Sequence, residues 1–111
     1  LPEDARQVIV LTHVPPFREA CWYEGQTTDD DWAPFFVCAQ VGRVLRAFSR
    51  GRRHCQCTVL CGHTHHGGIA KLEPNLTVHT AGADYGHPSI AAVIETTHDS
   101  VIVRQTDAQP L

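Results

Sequence analysis

Two short apolar segments, each followed by a histidine, constrain the fold of this chain more than any other feature. Gln7 to Leu11 precedes Thr12-His13, and Gln56 to Cys61 precedes Gly62-His63. A helical pattern lies between the two segments, and a strand–helix–strand unit with short connections makes parallel strands. Because parallel strands end at the same edge of a sheet, the sequence predicts that His13 and the His63 region meet at one rim.

The elements of this unit follow from hydrophobic spacing. Apolar side chains on both faces of Gln7 to Leu11 predict a central strand that is covered on each side. The helix is expected to span roughly Trp32 to Arg50 and to end at Gly51. Asp29-Asp30-Asp31 precedes it and is expected to cap it rather than to bind metal. The apolar side chains of the helix recur at Val37, Val41, Val44, Leu45 and Phe48.

The second half of the chain has the signals of antiparallel hairpins. Ile69 to Glu73 with Leu76 to Thr80 forms one, and Ile90 to Glu95 with Val101 to Thr106 forms the other. The loop Ala81 to Pro88 is placed to return to the histidine rim. The prediction is therefore an α/β (α+β) fold with a mixed sheet, one main helix and two C-terminal hairpins.

Composition excludes several classes of protein. A net charge of -3 in 111 residues argues against a nucleic acid or an anionic membrane as the main partner. No apolar stretch has the length of a membrane span. Five cysteines without framework spacing predict reduced thiols in a cytoplasmic protein.

Five arginines are clustered at the end of the predicted helix. They are expected to interact with the negative end of that helix; they are Arg43, Arg46, Arg50, Arg52 and Arg53.

Histidines at strand ends are candidate metal ligands. In an extended segment, His63 and His65 would point to the same face with Cα atoms about 6.5 Å apart. Each could then serve one metal of a pair spaced about 3.5–4 Å, with Gly62 allowing a tight turn. Two alternatives stay open: loop histidines without a ligand role, and a structural zinc site made by His63 with the cysteines at positions 55, 57 and 61.

Three further residues are candidates for substrate contact. His66 follows His65 too closely to share its orientation, so substrate or solvent is its expected neighbour. His87 lies in the glycine-containing loop after the first hairpin. Arg18 precedes Trp22 and Tyr23 in a long loop and has the chemistry of a phosphate clamp.

The motif Thr12-His13-Val14-Pro15-Pro16, followed by Cys61-Gly62-His63-Thr64-His65, resembles the C-terminal half of the calcineurin-like metallophosphoesterase superfamily. The resemblance implies a four-layer sandwich of mixed sheets and helices with a binuclear metal centre at the strand ends. It implies that His13 and His63 bind one metal and that His65 binds the other. The metals would be two divalent ions, Mn, Fe or Zn, and the substrate a phosphoester.

The same resemblance implies further ligands that this sequence does not contain. The Asp-x-His, Gly-Asp-x-x-Asp and Gly-Asn-His motifs of the family are absent, and the single asparagine is Asn75. Residues 1–111 are therefore expected to form the C-terminal portion of the domain, inactive alone and holding at most one metal weakly. The catalytic histidine is expected in the missing half, and self-association through exposed sheet edges is expected in this chain. The alternative is a non-catalytic protein-interaction scaffold.

Overall fold

The computed structural model describes residues 1–27 and 37–110, and the side chains of all of these except 107–110. The chain is a mixed α+β domain. Its described elements are β1 (Gln7–Leu11), a 3-10 helix (Arg18–Ala20), β2 (Trp22–Tyr23), β3 (Gln26–Thr27), α1 (Ala39–Gly51), β4 (Gln56–Cys61), β5 (Gly68–Glu73), β6 (Leu76–Thr80), β7 (Ser89–Thr96) and β8 (Val101–Pro110). No helix among the described residues combines the length and the apolar character needed to cross a membrane.

The main sheet has the strand order β1-β4-β6-β5. β1 pairs with β4 in parallel, and β4 pairs with β6 in parallel. β5 and β6 form an antiparallel hairpin, and β7 and β8 form a second one outside this sheet. These findings confirm the parallel unit and both hairpins.

The prediction of a central, covered β1 is wrong. β1 pairs with β4 and with no other described strand, so it lies at an edge of the described sheet. Register places Val8 and Val10 beside Cys57 and Val59 of the core. Alternation then sends Ile9 and Leu11 to the opposite face, and 76% of Leu11 is exposed. An unpaired edge of this kind is what the expected self-association requires, and self-association stays a prediction that sedimentation equilibrium tests.

The helix begins later than the sequence predicts. Its N-cap is Cys38, and residues 32–36 lie outside the described residues, as do the aspartates predicted to cap it. Its buried face carries Gly42, Leu45 and Ser49, whereas Val41 and Val44 of the predicted stripe are exposed. Close packing explains this orientation, because a Cβ at Gly42 would lie 2.2 Å from the carbonyl oxygen of Pro16.

The core lies between α1, the 3-10 helix and one face of the sheet. It is built around Val59, Leu76 and Val78, none of which has exposed surface. Cys57 and Cys61 belong to this core, and burial raises the pKa of the Cys57 thiol to about 11 and also raises that of Cys61. Thiols packed among Val59, Leu76 and Val78 fit the role of small hydrophobic side chains, and among the described residues no three His, Cys, Asp or Glu side chains form a group that could hold a metal.

The arginines at the end of α1 contact β5 as well as their own helix. Arg50 Nε lies 2.7 Å from Glu73 Oε1, and Arg46 Nε lies 3.5 Å from the same oxygen. The Arg52 guanidinium lies 5.3 Å from the centroid of the Phe48 ring. Arg46 and Arg50 therefore join the helix to the neighbouring strand, whereas Arg52 packs on the helix itself.

His79 should make folding stability depend on pH. It lies on β6 between Leu60 and Ile69, and its Nδ1 atom is buried without a hydrogen-bond partner among the described groups. Burial lowers the pKa of His79 below its usual 6.5, so below pH 6.5 the unfolded chain binds more protons than the folded chain. We therefore expect the free energy of unfolding to decrease as pH falls from 6.5 towards the folded-state pKa.

Urea denaturation between pH 7.5 and pH 5 measures this effect. The His79→Gln variant should lose less stability over that interval than the parent chain does. His98→Gln is the matched control, because His98 is exposed in the turn between β7 and β8. Identical pH profiles for His79→Gln and the parent would show that His79 does not carry the effect.

Candidate metal centre

The ends of β1 and β4 bring His13 and His63 into direct contact. The parallel ladder continues past both strands, with Thr12 N donating to Leu60 O at 3.0 Å and Gly62 N donating to His13 O at 3.0 Å. The Nδ1 atom of His63 then lies 3.1 Å from Nε2 of His13, and the ring centroids are 4.8 Å apart. The predicted meeting of these two histidines at one rim is confirmed.

The backbone after β4 turns sharply at His63. Thr64 N donates to Gly62 O at 2.9 Å, and His63, the residue between them, has φ 73°. An i to i+2 hydrogen bond around a residue with positive φ is a γ-turn, a strained conformation for a residue with a side chain. The expectation that Gly62 makes the turn and that positions 63–65 are extended is therefore wrong: His63 adopts the left-handed conformation.

His65 takes a different direction from the contacting pair. It also has positive φ, at 63°, and its ring lies against that of Tyr85 with centroids 4.6 Å apart. Its carbonyl accepts a hydrogen bond from Ala83 N at 3.1 Å. Within the part of the chain that the structure describes, no three His, Cys, Asp or Glu side chains form a group that could hold a metal. The structure thus gathers His13 and His63, with His65 directed towards the loop 81–88.

A small hairpin made by β2 and β3 packs on the histidine loop. Its turn has φ 50° at Glu24 and 79° at Gly25, which matches the twist of a two-residue hairpin connection. Glu24 N donates to His66 Nδ1 at 3.3 Å, and the rings of Tyr23 and His66 are 4.6 Å apart. His66 is therefore held by protein groups, and its predicted contact with substrate stays a prediction.

Glycine allows the hairpin to approach the sheet. A Cβ at Gly68 would lie 2.2 Å from the indole ring of Trp22, so the ring rests directly on the backbone of β5. Trp22 and Gly68 are far apart in the sequence, and no rule of residue spacing predicts that they contact each other. Their contact fixes the base of the hairpin beside the histidines.

The other two substrate candidates have defined places in the fold. Arg18 begins the 3-10 helix that contacts β5 and β6, and its side chain is exposed. His87 is exposed in the loop 81–88, where His87 N donates to Asp84 O at 3.2 Å. Their roles towards a substrate stay predictions. Sequence reasoning missed Tyr85, which lies in the same loop and contacts His65.

The pair of ring nitrogens at the rim fits a metal ion. Two imidazoles on one tetrahedral ion, with metal–nitrogen bonds of about 2.0–2.1 Å, have their nitrogens about 3.3 Å apart. The separation between His63 Nδ1 and His13 Nε2 is 3.1 Å. The two nitrogens either share a proton or, after a small movement apart, bind one cation. Both imidazoles are uncharged when they act as ligands, so the pair contributes no negative charge.

Comparisons with known proteins give no assignment of family or fold. No family model matches the chain, and neither a curated protein nor a solved structure shows significant similarity to it.

Proposed function

We propose that this chain supplies the C-terminal metal ligands of a metal-dependent phosphoesterase. In this proposal, His13 and His63 bind one divalent ion, and His65 binds a second. The observation that carries it is the 3.1 Å contact between ring nitrogens at the ends of two adjacent parallel strands. The strained backbone at His63 adds support, because strain of this kind is concentrated at functional sites.

Charge explains why the proposal needs ligands outside these residues. Two divalent cations held about 3.5–4 Å apart repel each other, and neutral imidazoles do not offset that repulsion. A complete centre with two ions therefore needs carboxylate ligands, in a domain that adds the remaining layers of a four-layer sandwich. This chain alone would hold at most one ion, and weakly. Mn, Fe and Zn all accept imidazole ligands.

The residues of this chain would position the ion and shape access to it. The hydrogen bonds of Thr12 and Gly62 fix the strand ends from which both histidines extend. The hairpin containing Tyr23 and Glu24 contacts His66 and would limit the approach to the rim from that side. Arg18 is the candidate clamp for a phosphoryl group. When bound, the ions would neutralise charge on the phosphoryl oxygens of the substrate.

Metal content and hydrolysis test the proposal together. The protein that carries this chain with its anionic ligands should hydrolyse p-nitrophenyl phosphate in the presence of Mn²⁺. His63→Ala should lower bound metal and reduce turnover by at least about 1,000-fold, because an active-site metal contributes several kcal/mol to transition-state stabilisation. The chain of 111 residues alone should show no measurable turnover.

His98→Ala is the control for this experiment, because it removes an exposed histidine in the turn between β7 and β8. It should leave both metal content and turnover unchanged. If His63→Ala retained the metal content and turnover of the parent protein, the site assignment would be removed.

A further inference from the structure

A pocket of about 290 Å³ lies beside His65, on the side of the loop 81–88 and the β7–β8 hairpin. Its polar lining consists of His65, Asp84, Ser89, Gln105 and Thr106, and the other lining residues are glycine and alanine. The volume is at the lower end of the range of about 300–1,000 Å³ for small-molecule sites. The pocket therefore has room for one small chemical group.

An irregularity in the β7–β8 hairpin lies at one side of this pocket. Register changes from Ile90↔Gln109 to Ala92↔Gln105, so three residues of β8 (106–108) lie opposite Ala91 alone. The hydroxyl of Thr106 donates to the carbonyl of Ile90, which satisfies a backbone group at the interruption. Interruptions of this kind often occur next to active sites, where they redirect side chains. Here the interruption turns Ala91 and Thr106 to the pocket.

The side of the pocket that is formed by the loop 81–88 is fixed relative to the histidine loop. Ala83 N donates to His65 O at 3.1 Å, and a Cβ at Gly67 would lie 3.2 Å from Gly82 N. The two loops therefore touch along their backbones. A group bound in the pocket would be held beside His65, which follows His63 by two positions in the chain.

The lining selects a neutral, hydroxyl-rich group. Gln105 both donates and accepts, Ser89 can do either, and the Asp84 carboxylate accepts. None of the described lining residues is Lys or Arg, and Asp84 repels an anion, so a free phosphate or sulfate is disfavoured. The apolar part of the lining is only glycine and alanine, which offers little to an acyl chain.

An exposed aromatic ring stands next to the pocket. Tyr85 is 87% exposed, and its ring packs against that of His65. The negative face of an aromatic ring attracts the slightly positive C–H groups of a ligand. A sugar ring presents two kinds of surface, a hydroxyl edge and a C–H face. The carboxylate, amide and hydroxyl groups of the pocket suit the hydroxyl edge, and the exposed tyrosine suits the C–H face.

We infer that this pocket binds a glycosyl or ribosyl ring, as the alcohol part of the phosphoester. The link to a phosphoester rests on the proposed function, whereas the binding of a sugar ring does not need the metal. The class of substrate would then be a sugar or nucleoside phosphoester whose ring lies between Tyr85 and Gln105 and whose phosphoryl group reaches the histidine rim.

Titration of the metal-free chain, followed by amide NMR, tests the inference. Methyl β-D-glucopyranoside or D-ribose should shift the signals of Ala83, Asp84 and Ser89, and cyclohexanol and inorganic phosphate should bind more weakly. Gln105→Leu should weaken sugar binding by about tenfold, because one unsatisfied hydrogen-bonding position costs about that much. The control Glu95→Gln changes a group that pairs with Arg104 away from the pocket, and should bind sugar like the parent chain.

Three results would overturn the inference: no shift with either sugar, equal or tighter binding of cyclohexanol or phosphate, or undiminished binding in both Gln105→Leu and a second variant, Ser89→Ala. Signals outside the pocket report whether each variant is folded. A parallel Zn²⁺ titration separates the two proposals. Zn²⁺ binding at His13 and His63 without sugar binding removes only this inference. Sugar binding without any Zn²⁺ effect on the signals of His13 and His63, even in large excess of Zn²⁺, removes only the proposed function.

Discussion

Replacing His63 by alanine should lower the affinity of the chain for Zn²⁺ by more than about 100-fold. Loss of a residue that merely orients a metal ligand costs about 10–100-fold, and loss of a ligand should cost at least as much. His13 and His63 contact each other through their ring nitrogens, so each variant should remove the same site. Competition with a chromophoric chelator measures the affinity. His13→Ala should lower the affinity as much as His63→Ala does. The variant with both replacements should bind Zn²⁺ no more weakly than either single variant, because the two effects are not additive within one site.

The strained backbone at His63 provides a control for folding. The residue has φ 73°, a conformation that glycine adopts without strain. His63→Gly should therefore lose Zn²⁺ as completely as His63→Ala while keeping or raising the free energy of unfolding. His98→Ala should keep the parent affinity. Unchanged Zn²⁺ affinity in His63→Gly would contradict the assignment of His63 as a ligand.

Replacing Asn75 by alanine should destabilise the fold by about 2–4 kcal/mol. Asn75 is almost fully buried, and its Nδ2 group lies 2.9 Å from Ser49 O, 3.0 Å from Arg52 O and 2.9 Å from Cys55 O. These carbonyls belong to the last turn of α1 and to the connection to β4, where helical partners are missing. Without the amide, each carbonyl would lose its side-chain donor, although Ser49 O and Arg52 O would keep the backbone donors Arg52 N and Cys55 N.

Urea denaturation of Asn75→Ala and Asn75→Asp measures this loss. Asp keeps the shape of Asn but turns an acceptor towards the carbonyls, so its loss of stability should equal or exceed that of Ala. The exposed Gln56→Ala variant is the control and should change stability by less than about 0.5 kcal/mol. A loss below about 1 kcal/mol in both Asn75 variants would show that water replaces the amide at little cost.

Local spacing predicts the elements of this fold and part of its site. The alternation of apolar and polar residues, together with the turn residues, is sufficient to predict the two hairpins. The apolar runs are sufficient to predict β1 and β4. Because parallel strands end at one edge, the meeting of His13 and His63 also follows from the sequence. These features depend on hydrophobic periodicity and on the direction of the strands, and both can be read from a single sequence.

The features that the sequence does not predict depend on contacts between distant residues. Hydrophobic periodicity cannot tell which strands flank β1, so its edge position is visible only in the sheet order. The approach of Gly42 to Pro16 rotates α1 and leaves Val44 exposed, although Val44 has the right spacing for the core. Glycine is the residue expected at a position with positive φ, yet here His63 has a positive φ.

The most direct test of the account is to observe the bond between the metal and the ring nitrogens. Long-range ¹H–¹⁵N spectra of the chain with ¹¹³Cd²⁺ report one-bond coupling at each coordinated imidazole nitrogen. We expect coupling at His13 Nε2 and His63 Nδ1, the two atoms whose separation is 3.1 Å. Coupling confined to other histidines such as His54 or His98, or no coupling at either predicted nitrogen, would contradict it.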